Sequence, residues 1–293
     1  MRPGTLAHRD LFCRTFIDTH VAFEPEALPW PDLGPPYLER LRNFPLWGYA
    51  RGIEQRAGRM VTAFANTLED PLIREAVAVQ GVEETRHGRL MTHVMERYGI
   101  DVPTVPMFDP PAQREDFLIF GFGECTDSFV GFGAFALARQ KQIFPEALMS
   151  IFENVLWEEA RHIAFFINWW RYEEARAGRD GIVQRSLESL KYHARALIGT
   201  AQGASDGPKL PELDGAQIKG MLEGLTPAMM LEAALAENAR HMARLDPRLL
   251  KPQLMPALAT LLLIGLRMLP PLSHTAPAAR LQPVDAPASQ SAA

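Results

Sequence analysis

The chain carries the pentad Glu-Glu-x-Arg-His twice, at Glu83–His87 and at Glu158–His162, 75 positions apart. Each copy contains a Glu and a His three positions apart, and the sequence holds no other Glu-x-x-His. On a helix, residues i and i+3 share a face. Glu84 with His87, and Glu159 with His162, therefore predict two helices that each offer one carboxylate and one imidazole to a common point. That is half of the donor set of a carboxylate-bridged pair of metal ions.

The surrounding pattern is helical. A first helix is predicted from about Leu46 to Leu68, with Trp47, Ala50, Ala57, Val61, Phe64 and Leu68 on its apolar face. Asp70 as N-cap and Pro71 at the first helical position open a second helix, which Gly99 ends after Tyr98. Ile73, Ala76, Val77, Gln80, Glu84, His87 and Met91 share one of its faces. The proline-rich loop Asp101–Pro111 is the longest link among the first four helices and suits a crossover between two antiparallel helix pairs. A third helix is expected from Arg114 to Ile143 and a fourth from Pro145 to Arg176. Further helices are expected at Ile182–Ile198, Ala216–Leu245 (restarting at Thr226-Pro227) and Leu254–Leu269, with a Gly/Pro-rich loop at Gly199–Gly215. The resulting expectation is an all-α chain. Residues 1–45 form an irregular entry with a short helical piece near Leu38–Leu41. Residues 46–176 form the four-helix unit, 177–269 form helices packed on it, and 270–293 form a disordered Pro/Ala/Ser tail.

A two-metal site needs two more carboxylates, one from each remaining core helix. Between Arg40 and Leu68 the only acidic residue is Glu54, in step with Trp47, Ala50, Ala57 and Val61. Between Phe117 and Phe144 the only Glu is Glu124, among Phe117, Phe120, Ser128 and Phe135. A lone carboxylate on a buried face is costly unless a cation accompanies it. The candidate metal ligands, which are also the catalytic candidates acting through the metals, are Glu54, Glu84, His87, Glu124, Glu159 and His162. Two iron ions fit this mixed oxygen and nitrogen set, and manganese or zinc could take the same ligands. Arg86 and Arg161 are expected to pair with acidic groups across the helix pair and orient the ligands. Ser128 is expected to place a hydroxyl near the open side of the metals, and Asp127 to accept from a ligand histidine. Glu237 and His241, at i and i+4, are read as a solvated pair, and Cys125 as a small buried apolar residue.

Composition narrows the classes. A formal charge of −5 argues against nucleic acid as the main partner. The two cysteines form neither a disulfide framework nor a Cys-x-x-Cys iron centre. No apolar leader is visible among the first residues, and a cytoplasmic location is expected. The uncharged stretch Pro252–Leu266 is too short to span a bilayer. Core packing or a homodimer contact is its first reading, and peripheral membrane contact its second.

The order Glu54, Glu84-x-x-His87, Glu124, Glu159-x-x-His162 resembles the ferritin-like superfamily of di-iron carboxylate proteins. Over residues 46–176, the pentads at Glu83–His87 and Glu158–His162 are similar to those of the soluble acyl-carrier-protein desaturases. The resemblance implies a ferritin-like four-helix bundle and a non-haem di-iron centre that activates dioxygen. The chain departs from the pattern where Asp127 stands in place of a Thr. It also has Val155 where the arylamine N-oxygenase branch carries an extra His, so that chemistry is not expected.

Together these readings predict an O2-dependent oxidoreductase: a hydroxylase, desaturase or oxidase of an apolar small-molecule or acyl-type substrate, fed by an electron-donor protein or reductant. Phe120, Phe152, Trp157, Phe165 and Phe166 suit an apolar pocket or a plain core. The alternative is iron binding or oxidative-stress protection of the ferritin or rubrerythrin kind.

Overall fold

Asp70 and Gly99 bracket the second predicted helix as their chemistry requires. The Asp70 carboxylate accepts from the amides of Leu72 and Ile73, Pro71 takes the first helical position, and Gly99 closes the helix in the left-handed region (φ 63°). The computed structural model describes residues 2–102, 113–206 and 224–268, with the backbone alone for 199–206. Among the described residues the chain is all-α, without strands. In chain order the helices are α1 (Leu6–Asp18), α2 (Pro35–Arg42), α3 (Trp47–Ala65), α4 (Pro71–Tyr98), α5 (Arg114–Gln140), α6 (Glu146–Arg176), α7 (Ile182–Asp206), α8 (Pro227–Ala243) and α9 (Leu254–Met268).

Two close pairs position the site. Along α3 and α4, a Cβ on Gly58 would lie 2.5 Å from Thr85 Oγ1, and one on Gly81 would lie 2.5 Å from Thr62 Oγ1. Glycine lets the two backbones approach, and the same seam sets Gln55 against Gly88. Their neighbours Glu54 and His87 are thereby brought together. Between α5 and α6, the Phe166 ring lies against Gly121, one turn from both Glu124 and His162. Phe117, Phe122, Phe166 and Trp169 pack edge to face around this contact. Pairs of this kind add about 0.5–1.5 kcal/mol each beyond their buried area.

α5 is buried on more than one side. α7 packs against it through Tyr192, stacked on Phe122. α8 packs against it where Ala234 meets Gly133 and His241 stacks on Phe132. Asn168, fully buried on α6, ties down the chain before α9: it donates to Leu250 O, accepts from Leu250 N and pairs with His8 Nε2. Of α9 only Ala259 and Leu263 are buried, and Leu261, Leu262 and Ile264 are exposed. No described helix is long and apolar enough to cross a membrane.

Several expectations need correction. The segment 1–45 is not simply irregular, because α1 occupies Leu6–Asp18. Thr5 caps it by accepting from His8 N, and His8, Leu11, Phe12 and Phe16 form a buried stripe at helical spacing. The short piece near Leu38 extends to the full α2. α3 stops at Ala65, where Thr67 and Leu68 turn tightly back onto Phe64 and Ala65. α5 ends at Gln140, just before Gln142 adopts a positive φ of 51°. α7 runs on to Asp206 through residues predicted as loop, since Ala201, Gln202 and Ala204 favour helix. The rest of that loop, the start predicted at Ala216, most of the crossover loop and the tail from 270 lie outside the described residues. His241 is not solvated: it is fully buried, and its nearest Glu237 oxygen is 3.9 Å away.

Candidate metal centre

Glu54 comes from α3, Glu84 and His87 from α4, Glu124 from α5, and Glu159 and His162 from α6. Their donor atoms fall into two groups, in each of which all atoms lie within 4.8 Å of one another. One is Glu54, Glu84, His87 and Glu159; the other is Glu84, Glu124 and His162. Glu84 belongs to both, with Oε1 3.0 Å from His162 Nδ1 and Oε2 3.8 Å from His87 Nδ1. Glu159 also spans the pair, with Oε1 3.2 Å from His87 Nδ1 and Oε2 3.8 Å from His162 Nδ1. Glu54 Oε2 stands 3.5 Å from His87 Nδ1 and Glu124 Oε2 3.8 Å from His162 Nδ1. Two carboxylates thus bridge the imidazoles and one stands at each end.

The remaining members of the pentads are wired across the helices. His87 Nε2 donates to Glu158 Oε2 at 2.8 Å, and Arg86 donates to the other oxygen of Glu158. His162 Nε2 donates to Glu83 Oε2 at 2.8 Å, and Arg161 Nη1 donates to Glu83 Oε1 at 2.7 Å. The first Glu of each copy therefore holds the His and the Arg of the other. A histidine whose Nε2 carries the proton turns a bare Nδ1 lone pair toward the carboxylates, which is the form that ligates metal. Glu83 and Glu158, 0% and 2% exposed, were not singled out as histidine partners from the sequence. Their place beside each ligand Glu is the signal, but the helix they reach depends on tertiary packing.

A second set that sequence reading missed comes from the N-terminal segment. Arg161 donates to Phe16 O at 2.5 Å and to Thr19 Oγ1 at 2.9 Å, and lies over the Phe16 ring. His20 Nδ1 donates to Glu83 Oε1 at 2.5 Å. The Arg86 guanidinium lies 4.1 Å from the centroid of the Phe23 ring. Ser128 Oγ donates to Glu159 Oε2 at 3.2 Å, which steadies one bridging carboxylate. Asp127 is placed differently from its expected role. It is exposed on α5, and the histidine Nε2 positions are taken by Glu83 and Glu158.

Burial and mutual proximity shift the titration of these groups in opposite directions. Burial, reinforced by the charges of Glu84 and Glu159, pushes Glu124 well above the usual carboxylate range. Burial likewise raises Glu54 to about 7, partly offset by its contact with His87. For Glu159 burial pushes the same way, but the facing imidazoles of His162 and His87 outweigh it and hold the carboxyl low. Burial works against protonating His87 and His162, yet the surrounding carboxylates raise both well above the ordinary imidazole value.

The donor set fits two divalent cations by charge. When all are ionised, Glu54, Glu83, Glu84, Glu124, Glu158 and Glu159 bring six negative charges, and Arg86 and Arg161 return two. Four remain. Glu84 Oε2, Glu124 Oε2 and both Nδ1 atoms are buried without a hydrogen-bond partner, and all four face the same space. Such atoms are costly unless something binds them. The buried Glu/His cluster lies at metal-binding distances. No protein-family model, curated protein or solved structure matches this chain.

Proposed function

We propose that the chain is a ferritin-like di-iron carboxylate protein that uses dioxygen to oxidise an organic substrate. The sharing of Glu84 between the two donor groups carries this reading, because one carboxylate common to both is what a bridged pair of ions requires. α3, α4, α5 and α6 supply the Glu, Glu-x-x-His, Glu and Glu-x-x-His of a ferritin-like bundle. Iron bound to such a mixed oxygen and nitrogen set supplies open positions and redox equivalents for dioxygen chemistry.

The chain's own residues orient that chemistry. Glu84, His87 and His162 are sealed at 0% exposure, whereas Glu54, Glu124 and Glu159 keep 18%, 14% and 13% of their side chains accessible. Substrate and dioxygen therefore approach from the side of those three carboxylates, beside Ser128. Phe120 and Phe152, with Val155, lie one to two turns before Glu124 and Glu159 on the same helices, which supports an apolar substrate. A reductant or electron-donor protein returns the centre to its starting state after each turnover.

The test is metal analysis and oxygen uptake. Protein expressed with iron supplementation is expected to hold about two irons per chain, as the ligand count requires, and to consume oxygen when reduced. Glu84→Ala is expected to lose both. Fewer than one iron per chain, unchanged by Glu84→Ala, would overturn the reading, and iron accumulating far beyond two per chain would favour storage.

A further inference from the structure

The two pentads are nearly the same in sequence, yet the structure surrounds them differently. Behind His87 the chain of contacts is His87, Glu158, Arg86 and then the face of Phe23, an apolar stop. Behind His162 it is His162, Glu83 and then both Arg161 and His20. Among the described residues, Glu83 thus accepts three hydrogen bonds where Glu158 accepts two. The extra donor is not on the four core helices. His20 lies just past the end of α1 and keeps 24% of its side chain exposed, whereas Glu83 is at 0%. From His20 inward the hydrogen bonds run through Glu83 to His162 Nε2, and Nδ1 of the same ring faces Glu84, Glu124 and Glu159.

We propose that His20 is a positioning residue that makes the two metal positions unequal: through Glu83 it fixes His162 and strengthens the Glu124/His162 position selectively. The proposal rests on the two-metal reading above. Its physical basis is that a carboxylate held at both oxygens by three donors cannot rotate, so the imidazole it holds keeps one orientation and one tautomer. Loss of such an outer contact typically lowers metal affinity about 10- to 100-fold. Among the described residues Glu158 has no counterpart of His20: on the His87 side the N-terminal segment supplies only the Phe23 ring against Arg86 and no hydrogen bond to the carboxylate. Phe16, Thr19 and His20 all contact the Glu83–Arg161 pair, so the end of α1 is built into one half of the centre.

The test uses cobalt(II) as probe on the full-length protein, with uptake followed by visible absorption and calorimetry. Unmodified protein is expected to bind two ions in two resolved steps. His20→Ala is expected to weaken one step about 10-fold or more and leave the other within about twofold. His20→Asn places an amide nitrogen where Nδ1 stands and is expected to restore the weakened step; His20→Gln, whose amide reaches the Nε2 position, is not. Rescue by Asn but not by Gln separates a directed hydrogen bond from general loss of folding, as does a matched thermal unfolding curve for each variant. Equal weakening of both steps, or no change in either, overturns the proposal while leaving the two-metal reading intact. Uptake of fewer than two cobalt ions by the unmodified protein overturns that reading, and the proposal with it.

Discussion

His87 on α4 donates through Nε2 to Glu158 on α6 at 2.8 Å, so the imidazole of one pentad is held by the carboxylate of the other. An amide at this position has a single acceptor oxygen for two donors. Glu158→Gln is expected to weaken metal binding about 10- to 100-fold by chelator competition. It also strips the buried Arg86 of its counter-charge, so denaturant titration is expected to show a loss of about 3–5 kcal/mol. An affinity unchanged within experimental error would remove Glu158 from the account.

Metal uptake should depend on pH with a definite sign. Burial raises Glu54 to about 7 and pushes Glu124 well above the usual carboxylate range, and a protonated carboxyl is a poor ligand. Affinity is therefore expected to rise with pH through about 7, and loading to release protons. Cobalt titrations in weakly and strongly ionising buffers at several pH values measure both. A flat affinity with no proton release would contradict the arrangement.

Two glycines should respond in opposite directions. A methyl group on Gly81 meets Thr62 Oγ1 at 2.5 Å and its amide nitrogen at 3.1 Å, so Gly81→Ala is expected to destabilise the fold by about 1–3 kcal/mol. Gly131, within α5, has nothing within 4 Å of a Cβ. There Gly131→Ala is expected to stabilise by up to about 1 kcal/mol through helix propensity. Chemical denaturation of both variants tests the pair.

His241 should shape the acid limb of the stability curve. Burial, followed by the charge of Arg240, depresses it to about 4. Its Nε2 lies 3.1 Å from Arg240 Nη2, and its ring stacks on Phe132 at 4.6 Å. A group with a lowered folded pKa contributes fully above its unfolded value near 6.5. That contribution disappears as pH falls toward about 4, a difference of about 3 kcal/mol at full extent. His241→Phe is expected to flatten the stability loss between those pH values, read as denaturation midpoints against pH. A slope identical to that of the unmodified protein would show that other groups govern this range.

What the sequence revealed divides along local and non-local lines. The Asp70-Pro71 cap and Gly99 stop act within a few residues, and α4 spans the residues they define. The six positions that converge on the centre were readable because each is set by period along its own helix and by an isolated charge among apolar neighbours. The partners of the two imidazoles were not readable in the same way. Glu83 reaches His162 across 79 positions and His20 reaches Glu83 across 63, and no local rule names such a contact. α1 is only weakly amphipathic, and the prolines from Pro25 onward are the stronger local signal in residues 1–45. Asp127 sits one residue before Ser128, about 100° around the helix, and that single step separates a side chain facing the centre from one facing solvent.

The crosswise pairing of the pentads also bears on mechanics. α4 and α6 touch little elsewhere, yet four charge-assisted bonds, two to Glu83 and two to Glu158, link them near the middle of both helices. Sliding one helix past the other by a full turn, about 5.4 Å, would break all four in the same motion. They act as a shear pin through the middle of the joint, holding the axial register of the helices whether or not an ion is bound. The donor atoms of Glu84, His87, Glu159 and His162 are thus aligned by the protein's own bonds, with no search for position left to them.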